Sequence, residues 1–280
     1  MQKSISKHFP IFVLPTLIAF FIAFFIPFLM GIYLSFTEFT TVKDATWVGL
    51  ENYGRIFTDK YFLGSLLFTI KFTVVSIVTV NFFAFVLAYA LTTGIKGTNL
   101  FRTVFFMPNL IGGIVLGYIW LLLINGVLAS FGLTISYDAK YGFWGLIIMM
   151  NWQLIGYMMI IYIAGLQNVP GELIEAAKID GATKFQTLKN VTIPMVMSSI
   201  TICLFLTLTN SFRLFDQNLV LTNGGPGQST TMLALDIYKT FYGRVGWEGV
   251  GQAKAVIFFL ILTVIALTQL GITRRKEFEH

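Results

Sequence analysis

Long apolar stretches alternate with short polar ones along this chain. A helix needs about 20 apolar residues to cross a bilayer. Six stretches reach that length: Ile11 to Phe36, Ser65 to Leu91, Val104 to Ile124, Phe143 to Leu166, Met195 to Leu214, and Ala253 to Ile272. The first is too long for a signal-peptide core and lacks a following small-residue cleavage site, so it reads as a true span. The pattern predicts an all-α membrane protein, one transmembrane domain over residues 1–280 with six helices. Pro10, Pro15, Pro27 and Pro108 fall where they kink or start helices, which neighbouring helices tolerate. Gly113 and Gly117 form a GxxxG pair, the spacing of a close helix contact. Trp120, Trp144 and Trp152 fit either interface anchors or lumen walls.

Composition sharpens this picture. The chain is 56% hydrophobic and only 11% charged, against about 25% charged in soluble domains. The net charge of +6 does not point to nucleic acid, because the basic residues are scattered between apolar runs. The single cysteine, Cys203, excludes an intramolecular disulfide and a multi-cysteine metal site, and reads as a small buried hydrophobe.

Lysine and arginine in the loops set the orientation. With the N-terminus inside, inner segments hold Lys3, Lys7, Lys96, Arg102, Lys178, Lys184, Lys189, Arg274, Arg275 and Lys276. The outer segments are longer in total yet hold only Lys43, Arg55, Lys60, Lys140, Arg213, Lys239 and Arg244. This predicts N-in and C-in. Lys71 and Lys254 lie near outer ends of spans, where a long side chain can snorkel.

The inner loop over residues 167–194 is too polar to span. Pro170 suits a first helical position, with Glu172 in the first turn. Leu173, Ala176 and Ala177 share one face. Gly181 suits the left-handed residue after a helix. Thr183 and Gln186 have capping-box spacing and open a second helix, which stops at Pro194. Small alanines permit close approach, and Glu175 offers a charge for a basic partner. A lipid-lying helix usually has a Lys-rich polar face. This loop balances its charges, which favours docking of a protein.

The string Glu175-Ala176-Ala177, three residues, Gly181, nine residues, then Val191-Thr192-Ile193-Pro194 resembles the EAA loop of binding-protein-dependent ABC importer permeases. Phe215-Asp216, Leu221-Thr222-Asn223-Gly224-Gly225-Pro226-Gly227 and Ser229-Thr230 resemble an outer loop of the carbohydrate-type permeases, and Trp47 to Tyr53 fits the same subfamily. The resemblance implies a transport subunit of the bacterial cytoplasmic membrane, paired with a second and usually different permease. It also implies two ATPase subunits that carry the ATP and Mg, and an extracytoplasmic solute-binding protein that delivers a sugar. Glu175, Ala176, Ala177 and Gly181 would then couple the chain to an ATPase. No GxxxxGK[ST] phosphate loop is present in this chain.

Polar residues inside spans are functional candidates by default. Asn151 and Gln153 flank Trp152 in the fourth span. Thr207, Asn210 and Ser211 lie toward the outer half of the fifth. Amides and hydroxyls beside an indole suit a sugar's hydroxyls and ring faces. Helix-helix hydrogen bonding is the competing reading. It is favoured for Asn151 and balanced for Gln153 and Asn210. Arg213 and Asp216 are three apart and could pair with each other, which favours a neutral substrate over an anion. An ion-coupled secondary transporter would need acidic relays inside the spans, and every Asp and Glu lies in a loop, tail or margin. A membrane-embedded enzyme is disfavoured, since the only histidines are His8 and His280 and no catalytic or metal constellation exists.

Overall fold

The computed structural model describes residue 11 and residues 13–278. Four helices are long and apolar enough to cross a membrane: α1 (Val13–Leu34), α3 (Phe62–Thr92), α6 (Ala139–Gln167) and α12 (Glu248–Phe278). Two bent pairs add up to two further crossings. The first joins α4 (Thr98–Phe106), extended by a 3-10 turn to Leu110, to α5 (Gly113–Ala129) at 101°. The second joins α8 (Lys184–Met195) to α9 (Met197–Phe212) at 72°. The remaining helices are short: α2 (Glu51–Thr58), α7 (Gly171–Ile179), α10 (Asp216–Leu221) and α11 (Leu233–Gly243). Pro10 and His8 lie outside the described residues.

The chain divides into two compact units. The smaller comprises residues 1–60 and 237–259, and the larger comprises residues 61–236 and 260–280.

In the smaller unit, α1 is followed by a two-stranded antiparallel ribbon, β1 (Thr37–Glu38) with β2 (Thr46–Trp47). The Asp44 carboxylate closes the intervening turn by accepting the N–H of Thr41 at 2.8 Å and of Thr40 at 3.0 Å. Those bonds hold its pKa below the ordinary 3.8. This capping is therefore in place at neutral pH and is lost as pH falls through the lowered value. Buried Asn52 donates to Ser35 O at 3.0 Å and Thr37 O at 2.8 Å, tying α2 to the ribbon. The start of α12 packs here because Gly249 and Gly251 carry no Cβ. One at Gly249 would meet the Thr37 carbonyl, and one at Gly251 would lie 2.9 Å from Phe241 Cα.

Lys254 departs from the snorkelling expectation. It is fully buried and donates to Asp59 Oδ2 at 2.7 Å and to Thr240 Oγ1 at 2.8 Å. Arg244 reaches the same Asp59 oxygen at 3.0 Å. A lysine next to a buried carboxylate is held by that charge instead of reaching for water. Hydropathy reading could not see a partner so distant in the chain.

The larger unit is built on α3 against α6. The buried face of α3 includes Ser65, Thr69, Ser76, Ala84 and Ala88, mostly small or hydroxylic. Its opposite face exposes Leu63, Leu67, Val74, Val78, Phe82 and Val86. That is a soluble helix turned inside out: lipid solvates the large apolar side chains, and small residues let helices approach closely. On α6, Gly156 meets the α4 backbone, and a Cβ there would collide with the Phe105 carbonyl and lie 2.7 Å from Phe106 N. Neither atom can swing away. Gly156→Ala is expected to cost about 1–3 kcal/mol or more, measured as a lowered unfolding temperature in detergent.

The third predicted span, Val104 to Ile124, is not one straight helix. Pro108 ends the α pattern in a 3-10 turn, Ile111 and Gly112 are extended, and the chain restarts at Gly113. The fifth predicted span, Met195 to Leu214, corresponds to the 16-residue α9, Met197–Phe212, which is bent sharply from α8. The helix opening at Thr183 runs one residue beyond Pro194, to Met195. A π turn over Leu188–Thr192 precedes that proline. Buried Cys203 donates weakly to Met158 O at 3.7 Å, a packing role as expected.

Candidate functional site: a polar cavity and an exposed short helix

A cavity of ≈ 250 Å³ opens in the larger unit where α6, α9 and α10 meet the 3-10 turn after α4. Its polar lining is Asn109, Gln153, Asn210, Arg213, Asp216 and Gln217, and its apolar lining includes Met150, Leu154 and Phe215. The break at Ile111–Gly112 brings Asn109 to the site. The glycine pair then seats α10 on α5. A Cβ at Gly113 would lie 2.8 Å from Asp216 Cβ, and one at Gly117 would lie 3.1 Å from Val220 Cβ. The GxxxG reading as a close helix contact holds, and here that contact carries Asp216 and Gln217 to the cavity wall.

Gln217 Nε2 donates to Gln153 Oε1 at 3.0 Å, and Gln153 Nε2 points at Ile111 O from 3.4 Å. Asn210 Nδ2 donates to Leu206 O at 2.8 Å. Among the described residues, Asn210 Oδ1 and the Asn109 amide make no hydrogen bond within the protein. These groups can serve a ligand's hydroxyls as both donors and acceptors. Arg213 and Asp216 both line the cavity, but the ion pair expected from their spacing is not formed. Helix α9 ends at Phe212 and α10 starts at Asp216, so the helical i, i+3 geometry is broken between them.

Of the residues singled out from sequence, the structure brings Gln153 and Asn210 to the cavity and turns three others elsewhere. Thr207 is fully buried and accepts from Asn81 Nδ2 at 3.2 Å, while Tyr162 donates to Asn81 Oδ1 at 2.8 Å. That network staples α3, α6 and α9 together. Ser211 donates back to Thr207 O at 2.6 Å on its own helix. Asn151 donates to Thr79 Oγ1 on α3 at 2.9 Å, the helix-helix bond favoured for it. Trp152 packs edge-to-face on Trp120 with centroids 5.8 Å apart and does not line the cavity. Asn109 and Gln217 escaped the sequence reading because they sit on connectors.

The loop after α10 closes over the core. Asn218 is fully buried and donates to Thr222 Oγ1 at 2.9 Å and Thr230 O at 2.8 Å, while accepting from Met232 N at 2.9 Å. The glycines of the LTNGGPG string are needed for the turn, with φ of +81° at Gly224 and +56° at Gly227. Gly142 on α6 leaves room for the methyl groups of Thr222 and Thr230.

In the polar segment after α6, α7 begins at Gly171 with Pro170 as its cap, one residue earlier than expected for the proline. It ends in a Schellman motif: Ala182 N–H donates to Ala177 O at 2.9 Å and Gly181 N–H to Lys178 O at 3.1 Å. Gly181 is left-handed at φ +78°, which its lack of Cβ permits. Thr183 and Gln186 cap each other reciprocally at 2.7 and 3.3 Å. Glu175 and Ala176 are exposed, and so are Leu173, Ile179 and Phe185. A short helix with a closed C-terminal end thus projects apolar residues and a carboxylate from the fold.

Long apolar helices, a polar cavity among them and a short projecting helix are the parts of a solute permease. The chain belongs to the binding-protein-dependent transport system inner membrane component family, whose pattern matches residues 81–277. It is 44% identical to the probable starch degradation products transport system permease protein of Thermoanaerobacterium thermosulfurigenes, covering 96% of this chain and 94% of the relative. It is 30% identical to the multiple sugar-binding transport system permease protein of Streptococcus mutans, covering 99% of each. A solved bacterial alginate ABC transporter, in complex with an alginate pentasaccharide-bound periplasmic protein, shares the fold. Its TM-score is 0.81 at 19% identity, covering 99% of this chain and 98% of that one.

Proposed function

We propose that this chain is the permease subunit through which an ABC importer passes a sugar or oligosaccharide across the bacterial cytoplasmic membrane. The carrying observation is the amide-rich cavity around Gln153 and Asn210, whose unpaired groups suit hydroxyls. The names of the relatives support the substrate class. In this reading all 280 residues act as one membrane domain of six crossings, N-in and C-in, each bent pair counting as one. The cavity then faces the outer half of the membrane and α7 faces the cytoplasm.

Helix α7 docks in an ATPase through Ala176 and Ala177, with Glu175 fixing register and Gly181 preserving the cap. A second permease completes the pathway, two ATPases carry the nucleotide, and a binding protein delivers the sugar. The cavity holds one cation and one carboxylate, which suits a neutral polyol. ATP-driven closure beneath α7 would move that short rigid helix as a body.

The test is sugar-stimulated ATP hydrolysis by the reconstituted importer. Gln153→Ala and Asn210→Ala are each expected to raise the sugar concentration needed for half-maximal stimulation by about tenfold, as for loss of one or two hydrogen bonds. Basal ATPase activity and assembly should not change. If neither substitution alters stimulation, the cavity is not the sugar's path.

A further inference from the structure

Lys71 is the only charged residue of α3, set in an otherwise uncharged 31-residue helix. Its ammonium lies 4.8 Å from the centroid of the Phe143 ring. Among the described residues it forms no ion pair and donates no hydrogen bond. Lys71 is exposed, and a cation near the end of an apolar span reaches toward headgroups or water. The surroundings are built. A cavity of ≈ 390 Å³ is walled by Phe68, Phe143 and Trp144, with Lys71 and Lys140 on its rim. The rings interlock edge-to-face, Phe68 on Phe143 at 5.9 Å and Phe143 on Trp144 at 5.3 Å. Trp144 is 54% exposed, and its indole N–H has no acceptor among the described residues. Asp138, 3.7 Å from Lys140, offsets that second cation in part and leaves Lys71 uncompensated.

Two lysines and a tryptophan thus line one aromatic-walled pocket, beside the apolar exposed face of α3. We propose that this pocket binds the headgroup phosphate of an anionic phospholipid, its glycerol against Trp144 and its acyl chain along α3. Trp at the membrane interface presents both an apolar ring and a donor to such a group. A lysine near an anionic headgroup contributes about a fivefold gain in binding. The pocket lies in the outer leaflet if the proposed orientation holds, and the headgroup chemistry is the same in either leaflet.

Native mass spectrometry of the detergent-purified importer complex tests this, with phosphatidylglycerol or phosphatidylcholine added. The wild-type complex should retain phosphatidylglycerol over phosphatidylcholine. Lys71→Gln should lose about fivefold of that preference, and Lys71→Arg should keep it. Trp144→Ala should weaken retention of both lipids, and it serves as the second variant if Lys71→Gln fails to assemble. Unchanged retention in Lys71→Gln, or in Trp144→Ala if that must stand in, overturns the proposal. So does displacement by millimolar inorganic phosphate, which would mark a free-anion site. Loosening of the permease pair with unaltered lipid retention would assign Lys71 to an acid of the second permease, and also overturns it. Retention is read without sugar or ATP, so failure of the sugar reading leaves this result interpretable by itself.

Discussion

Glu175→Lys is expected to reduce ATP-driven uptake about a hundredfold while the chain still folds and inserts. The side chain is exposed and forms no ion pair among the described residues. Its replacement therefore costs the isolated chain almost nothing. Its charge matters only against a partner. Like charges facing each other across an interface cost several kcal/mol, and each 1.4 kcal/mol or so is a factor of ten. Co-purification of the ATPase with wild-type and variant chains measures the loss directly. Gly181→Val provides the complementary test. It strains a residue at φ +78° and should uncouple transport by deforming the helix end, with Glu175 intact. If Glu175→Lys retains full ATPase binding and uptake, α7 is not the docking helix.

Asp59→Ala should produce the largest loss of stability, about 3–5 kcal/mol. The Asp59 carboxylate is 3% exposed and the Lys254 side chain 0%. Removing the acid leaves a buried ammonium and an arginine facing a void. Asp59→Ala combined with Lys254→Met should recover most of the loss, because an apolar side chain of similar length needs no counter-ion. Thermal unfolding in detergent distinguishes the outcomes. If the double variant is as unstable as the single one, the stranded Lys254 charge is not the source of the loss. The motif is absent from the expected coupling and cavity residues, so assembly with the ATPase should follow stability and nothing else.

Much of this was legible in the sequence for simple reasons. Helix ends carry their own chemistry, so Gly181, Thr183 and Gln186 announced the termini of α7 and α8 correctly. Lipid tolerates almost any large apolar side chain, so span limits at Phe143, Leu166 and Ala253 fall inside the observed helices. Direction is another matter. Pro108 and the Gly112-Gly113 pair were visible, but hydropathy sums along a segment and cannot register a 101° turn within it. Facing is harder still. Thr207 and Asn210 are three apart on one helix, yet one binds Asn81 and the other lines the cavity, and only the position of α3 separates them. Asn109 and Gln217 were overlooked because they occupy a 3-10 turn and a six-residue helix, the sort of element a search for 20-residue spans discards.

The π turn in α8 has a consequence for how the chain tolerates insertions and deletions. Ile193 N–H bonds to Leu188 O across five residues, so one more residue is wound into that turn than an α-helix would hold. Each helical residue turns the chain by about 100°. Deleting Asn190 is expected to restore ordinary winding there and leave α9 where it packs, because the widened turn already absorbs the extra residue. Asn210 would keep its place on the cavity wall and Thr207 its bond to Asn81. The same deletion within the regular winding of α9 would turn the residues beyond it by that angle and pull both side chains away. The π turn is thus a slack point, the one place in α8 where the chain can shed a residue without turning the polar stripe of α9.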